Sequence, residues 1–196
     1  MIRVGKRLSS AIFGLILLVT CLPAAMGVGE VRAQGLDPCT AYLPSITGRG
    51  LINGTPGMDI IYGSSGRDII KGNGGDDIIC GQGGNDDITG GPGLDDIYGG
   101  DGDDTIRGLG GTDRLYGEAG NDSLAGGDGE GDLVRGGPGN DKITLGDGDD
   151  FGLGGDGNDR IYGQGGKDEI GGEAGNDSQA ADAGADLVSG GPGDDK

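Results

Sequence analysis

Histidine and tryptophan are absent from these 196 residues, which hold only two phenylalanines and three cysteines. Without histidine there is no His-based catalytic triad, and no Gly-x-Ser-x-Gly nucleophile elbow occurs either. A zinc site wants His or Cys ligands, which this chain scarcely has. Positive charge is also scarce: 14 Lys and Arg stand against 33 Asp and Glu, a formal net charge of −19. That balance disfavours nucleic acid and anionic membrane as partners, and it suits solvated, extracellular cation binding. The chain is therefore expected not to be an enzyme.

What is abundant is glycine, at 51 residues, and it recurs with a period. From Gly54 onward the chain repeats a nine-residue unit, Gly-x-x-Gly-x-Asp-x-(apolar)-x. There are fifteen complete units and a truncated sixteenth, with one inserted residue in unit 126–135. A sustained fixed period marks a solenoid, in which each repeat packs only on its neighbours. The fourth position is glycine throughout, and the first departs from glycine only at Leu145 and Ala181. Glycine at fixed offsets allows positive φ and close backbone approach, so positions one to six read as a tight turn. The eighth position is Ile, Leu or Val except at Gly152 and Gln179. A three-residue strand over positions seven to nine, with one inward apolar side chain, fits that pattern.

The sixth position is Asp in every unit. If each turn reverses the chain, two units complete one coil and the aspartates fall on two edges. One edge carries Asp59, Asp77, Asp95, Asp113, Asp132, Asp150, Asp168 and Asp186. The other carries Asp68, Asp86, Asp104, Asp122, Asp141, Asp159, Asp177 and Asp195. Spacing alone leaves a triangular coil open as an alternative. Carboxylates stacked at the strand spacing of about 4.8 Å repel by roughly 0.9 kcal/mol per pair even at the dielectric of water. Summed along both edges this is on the order of 10 kcal/mol, as large as a typical domain's stability. A cation between the aspartates answers that repulsion. Carboxylate and carbonyl oxygens in a flexible Gly-rich loop suit Ca²⁺, whereas Mg²⁺ wants a tighter octahedron with retained waters.

Units such as Gly90-Gly-Pro-Gly-Leu-Asp95-Asp-Ile97-Tyr98 and Gly154-Gly-Asp-Gly-Asn-Asp159-Arg-Ile161-Tyr162 resemble the repeats-in-toxin (RTX) calcium nonapeptide. That family's array is a parallel β-roll, an all-β solenoid with two repeats per coil. The resemblance implies Ca²⁺ ions between loops one coil apart, held by sixth-position Asp side chains and loop carbonyls. It covers residues 54–196. The pattern departs at the 126–135 insertion, at unit 145–153, and at Gln179, Ala181 and Ala183. Sites touching Asp132, Asp150, Asp177 and Asp186 are accordingly expected to be less regular.

The remaining chain frames this array. Arg3, Lys6 and Arg7 precede the apolar run Ala11 to Thr20, too short for a membrane span, so residues 1–33 read as a signal peptide and the protein as secreted. Val31-Arg32-Ala33 is the expected cleavage site, with Pro23-Ala24-Ala25 an earlier alternative. Leu18-Val19-Thr20-Cys21 loosely resembles a lipobox, which would instead make a cell-surface lipoprotein. Residues 34–53 are read as an N-terminal cap on the first coil. Cys39 and Cys80 are the only cysteines after cleavage, and an exported chain favours their pairing. Cys80, Ile60 and Ile78 are expected to face outward under that cap segment.

Other patterns reduce to the repeat. Gly-x-Gly-x-x-Gly matches have no long helix to follow. The sequons at Asn53, Asn121 and Asn176 are by-products of its composition, and no EF-hand spacing occurs. Tyr62, Tyr98 and Tyr116 occupy ninth positions of alternate units and share one sheet face as ordinary strand residues. Two functions remain: a secreted calcium-binding protein that folds with Ca²⁺, or a structural or adhesive surface rod presenting a face to a partner. Acidic Gly-rich sequence without calcium is expected to be disordered.

Overall fold

The computed structural model describes Cys39, residues 44–129 and residues 131–196. All of these lie in the unit Leu36–Lys196. The expected signal peptide, its cleavage sites and Cys21 lie outside the described residues.

From residue 44 onward every regular element is a strand, and every pairing is parallel. One sheet stacks nine strands in chain order: β1 (Ile46–Thr47), β3 (Ile60–Tyr62), β5 (Ile78–Gly83), β7 (Asp96–Asp101), β9 (Arg114–Ala119), β11 (Leu133–Pro138), β13 (Phe151–Asp156), β15 (Glu169–Ala174) and β17 (Leu187–Ser189). The other stacks eight: β2 (Leu51–Asn53), β4 (Ile69–Lys71), β6 (Asp87–Pro92), β8 (Thr105–Gly110), β10 (Ser123–Asp128), β12 (Lys142–Asp147), β14 (Arg160–Gly165) and β16 (Ser178–Ala180). Successive strands alternate between two sheets, so the coil is the two-sided β-roll and not the triangular form. The coil also begins before the first complete unit. β1 and β2 lie in the expected cap segment, and Ile46 and Ile52 join the core below Ile61 and Ile70.

The eighth-position residues form that core. Ile61, Ile70, Ile79, Ile88, Ile97, Ile106, Leu115, Val134, Ile143 and Ile161 are fully buried, in register with one another across each sheet. Burying each contributes about 2 kcal/mol. The strands are longer than the spacing suggested. From β5 to β15 they run six residues, from position seven through position three of the next unit, leaving only positions four to six as turn. The cause is at position two, where the backbone turns left-handed, as in Gln82 (φ 79°), Leu109 (φ 89°) and Gly100 (φ 111°). This kink lets pairing resume beyond the first glycine, as in Tyr98↔Tyr116 followed by Gly100↔Glu118. Strand alternation before the kink turns both the eighth and the following first position inward, as in Ile143 and Leu145 on either side of Thr144.

That geometry accounts for the irregular unit 145–153. Gly152 leaves a gap at an eighth position, and Leu145, at a first position, fills it. Leu145 is fully buried, and a Cβ placed on Gly152 would lie 2.8 Å from Leu145 Cδ2. The two departures compensate each other. Leu145→Ala should therefore cost about 2–5 kcal/mol, as for a buried leucine elsewhere. The double variant Leu145→Gly, Gly152→Ile should recover most of that loss in thermal unfolding. The inserted residue is absorbed in a loop: β9 and β11 pair at an offset of 19 residues (Arg114↔Leu133), and β11 and β13 return to 18 (Leu133↔Phe151). Gln179 takes the inward place beside Gly172 and donates an Nε2 hydrogen to the Ser189 carbonyl (3.1 Å).

On the outer face of the nine-stranded sheet, Cys80 is disulfide-bonded to Cys39, with Cα atoms 5.8 Å apart. Cys80 is completely buried although it is a ninth-position residue, because it lies under its partner. Ser45 pairs with the edge of β3, donating its N–H to the Ile60 carbonyl (2.9 Å) and accepting the Ile60 N–H on Oγ (2.9 Å). Tyr62, Cys80, Tyr98 and Tyr116 follow one another along a single ladder. The Tyr98 and Tyr116 rings stack at 4.8 Å and 4°, so each covers a face of the other. Burial raises the Tyr98 hydroxyl pKa accordingly.

Candidate metal centre

Each turn ends on its aspartate, and the fold brings each one against the aspartate of the next coil. Asp77 N–H donates to Asp95 Oδ1 (2.9 Å), and Asp95 N–H to Asp113 Oδ1 (2.9 Å). The same bond joins Asp59 to Asp77, Asp113 to Asp132, Asp132 to Asp150 and Asp150 to Asp168, and ends on Asp186. On the opposite edge the series runs Asp68, Asp86, Asp104, Asp122, Asp141, Asp159, Asp177 and Asp195. Both edges are as the spacing assigned them. The aspartate carbonyls from Asp59 through Asp168 in turn accept the N–H that opens the strand above, as Asp77 does from Asp96 (2.8 Å).

The second carboxylate oxygen is different. In Asp77, Asp86, Asp95, Asp104, Asp113, Asp122, Asp132, Asp141, Asp150, Asp159, Asp168 and Asp177, Oδ2 is buried and receives no hydrogen bond. These side chains are at most 3 % exposed. Oδ2 turns back over the first glycine of its own unit; a Cβ on Gly90 would lie 2.3 Å from Asp95 Oδ2, and one on Gly108 2.2 Å from Asp113 Oδ2. That contact is why position one is glycine. Asp132 and Asp177 keep this geometry over Gly126 and Gly172, and Asp150, whose unit opens on Leu145 instead of glycine, still buries an Oδ2 without a hydrogen bond. Asp186 and Asp195 are half-buried in the last coils.

Burying an unpartnered carboxylate disfavours its ionised form. It pushes Asp77, Asp86 and Asp122 up to about 6, and Asp104, Asp113 and Asp141 up to about 7. The amide bond to Oδ1 opposes this rise, and neighbouring carboxylates add to it in most of these residues, as Asp95 and Asp59 do for Asp77. Asp95, Asp132, Asp150, Asp159 and Asp168 are raised for the same first cause.

Main-chain carbonyls accompany these carboxylates: a Cβ on Gly72 would lie 2.3 Å from Asp77 Oδ2 and 2.6 Å from the Gly90 oxygen of the next coil, and one on Gly81 2.5 Å from both Asp86 Oδ2 and the Gly99 oxygen. Those at positions two and four rise along the stack toward the next loop. A Cβ on Gly100 would lie 2.1 Å from the Gln82 oxygen, and one on Gly111 only 1.7 Å from the Gly93 oxygen. Among the described residues no three acidic side chains converge on one point, so main-chain oxygens would complete any coordination shell. An orphaned carboxylate oxygen beside carbonyls, with no nitrogen or sulfur ligand, is a hard, all-oxygen donor set. It fits Ca²⁺.

One feature of the loops escaped the sequence reading. On one edge the fifth positions form a side-chain ladder. Asn121 donates N–H (2.8 Å) and Nδ2 (3.1 Å) to Asp103 Oδ1, Asn140 donates both to Asn121 Oδ1 (3.0 and 3.1 Å), and Asn158 both to Asn140 Oδ1 (2.8 and 3.1 Å). Asn176 and Asp194 continue it through their amides. The other edge has Met58, Leu94, Thr112 and Lys167 at these positions and only isolated bonds of this kind, Leu94 N–H to Asp76 and Lys167 N–H to Asp149. The signal was present but surfaces only when alternate units are read apart. The Asn121 side chain is thereby engaged in the ladder, consistent with its sequon being incidental.

A parallel β-roll with a carboxylate in every loop defines a calcium-binding repeat protein. The RTX calcium-binding nonapeptide repeat matches residues 53–88, 89–124, 98–131, 126–156, 146–178 and 180–196, and the chain belongs to that family. No curated protein matches the chain.

Proposed function

We propose that this is a secreted protein whose loops hold Ca²⁺ between successive coils on both edges, and whose β-roll forms only when they do. The observation that carries this reading is the recurrence, in register, of twelve buried Oδ2 atoms with no donor. When ionised, each is a desolvated charge stacked above another, and a divalent cation neutralises two at once. When bound, Ca²⁺ supplies charge compensation and cross-links adjacent loops. The aspartate carboxylates and main-chain carbonyls of adjacent loops would hold it. The first glycine leaves room for the carboxylate, and the Oδ1–amide bond fixes its rotamer. Extracellular modules of this kind bind at roughly 10⁻⁴–10⁻³ M, so the protein would fold on reaching the outside of the cell. The basic and apolar start of the chain supports export, with Gln34 as the first residue of the mature protein.

Circular dichroism of the mature chain tests the reading. Strand signal should appear steeply as calcium is added and vanish with excess chelator. Asp95→Ala should shift the midpoint to higher calcium. Asp96→Ala should hardly move it, because Asp96 points outward to an exposed ion pair with Arg114 (3.1 Å) worth less than about 1 kcal/mol. Equal shifts in the two variants would refute the assignment of position six as the ligand.

A further inference from the structure

Asp59 and Asp68 open the two aspartate series, yet neither shares the condition of those that follow. Asp59 Oδ2 accepts the Thr55 N–H (2.6 Å), and its Oδ1 accepts from Ser45 Oγ (3.4 Å). Asp68 Oδ2 accepts both the N–H (2.7 Å) and the hydroxyl (2.9 Å) of Ser64, and its Oδ1 accepts the Gly50 N–H. Both carboxylates are thus satisfied by neutral donors. The cause is local sequence. Position two is Thr55 and Ser64 in these loops, and each turns its N–H onto its own aspartate. From Asn73 (φ 80°) the second position is left-handed instead, and its N–H goes to the next coil, here to the Gly90 carbonyl (3.0 Å). No donor then remains for Asp77 Oδ2 or for its successors through Asp177.

Two further metal-independent ties lie at the same end. The Cys39–Cys80 disulfide ties the segment before β1 to β5. Ser45 pairs with Ile60. Inside, Ile52, Ile61, Ile70 and Ile79 are buried, and outside, Ile60 and Ile78 are half-covered.

We propose that β1–β4, pinned to β5 by the disulfide, form a calcium-independent nucleus, and that Asp59 and Asp68 are internal caps of its loops rather than metal ligands. The metal-binding series then begins at Asp77 on one edge and Asp86 on the other. The nucleus presents two ready strand edges on which each calcium-bound coil is added. For every coil beyond the nucleus this rests on the calcium reading above.

Hydrogen exchange of the full, disulfide-intact mature protein, in calcium and in excess chelator at neutral pH, tests it. Amides of Ile61 and Ile70 should stay protected in both conditions, while those of Ile106, Leu124 and Ile143 should lose protection on the order of 100-fold in chelator. Equal loss at both ends overturns the nucleus and leaves the calcium reading standing. Protection retained along the whole chain in chelator overturns the calcium reading, and the proposed boundary with it. Counting bound calcium by equilibrium dialysis adds a second readout. Asp68→Ala should weaken protection of β3 and β4 in chelator without lowering the calcium count, whereas Asp86→Ala should lower the count. A lower count in both variants would show that Asp68 is a ligand.

Discussion

Acidifying the calcium-free protein from about pH 8 to about pH 4 is expected to form the same coil that we propose calcium forms at neutral pH. The sign follows from the raised carboxyls. In the coil, Asp77, Asp86 and Asp122 titrate at about 6, and Asp104, Asp113 and Asp141 at about 7, against 3.8 for an ordinary aspartate. The metal-free coil therefore binds protons more tightly than the unfolded chain does. The stability this contributes is fully present below the unfolded value near 4 and is lost as pH rises through 6 and 7. A proton on Oδ2 cancels the same buried charge that a cation would. Circular dichroism in chelator across this range reads the effect. Sedimentation must accompany it, because the sequence pI of about 4.1 brings the chain near zero net charge at the acid end. A chelated chain that stays unfolded at every pH, while calcium folds it, would show that neutralising the carboxylates is not what the coil requires.

The second large effect is expected from a single methyl group. In Gly111→Ala the new Cβ would stand 1.7 Å from the Gly93 carbonyl oxygen, and φ at this position is +133°. Neither side can give way, since both are backbone in consecutive coils. Left-handed strain of about 1–3 kcal/mol adds to a similar penalty for overpacking, so a loss of roughly 3–5 kcal/mol is expected even at saturating calcium. That is a large share of a typical domain's stability. Gly57→Ala is the control. It occupies the same fourth position, but in the first loop of the array, where nothing lies within 4 Å of the added carbon and φ is not left-handed. Its cost should stay below about 1 kcal/mol. Chemical unfolding in excess calcium compares the two, and similar losses would mean that contact between stacked loops is not what position four protects.

The difference between these two glycines marks what was legible in the sequence. An Asp at every sixth position and an apolar residue at nearly every eighth were enough for the solenoid and for the two edges on which the aspartates stack. Those features repeat in each unit, so noise at one position does not hide them. The disulfide was legible because reading residues 1–33 as a signal peptide leaves Cys39 and Cys80 no other partner. Strand length was not. It depends on left-handed backbone at position two, which Gln82, Leu109 and Glu118 adopt against their own preference because inter-coil pairing favours it. The exchange between Leu145 and Gly152 was read as a defect, since two positions seven residues apart in one unit share space only once β12 and β13 face each other from the two sheets. Asp59 and Asp68 looked like every other aspartate. What sets them apart is the hydrogen-bonding role of Thr55 and Ser64, which a consensus treats as a free position.

The asparagine ladder constrains how such a rod changes length. Its members recur every two units, 18 residues apart where no insertion intervenes, and so do the tyrosines that stack on the nine-stranded sheet. Gain or loss of one whole coil preserves both. Gain or loss of a single nine-residue unit shifts parity. Every later strand would change sheets, and the asparagines beyond that point would arrive on the edge now held by Leu94 and Thr112. The extra residue in 126–135 causes no such shift, because a loop takes it up before the next strand begins. Growth and trimming of this chain are thus free in steps of one coil, tolerated in single residues within loops, and disruptive at the one interval that the repeat itself suggests.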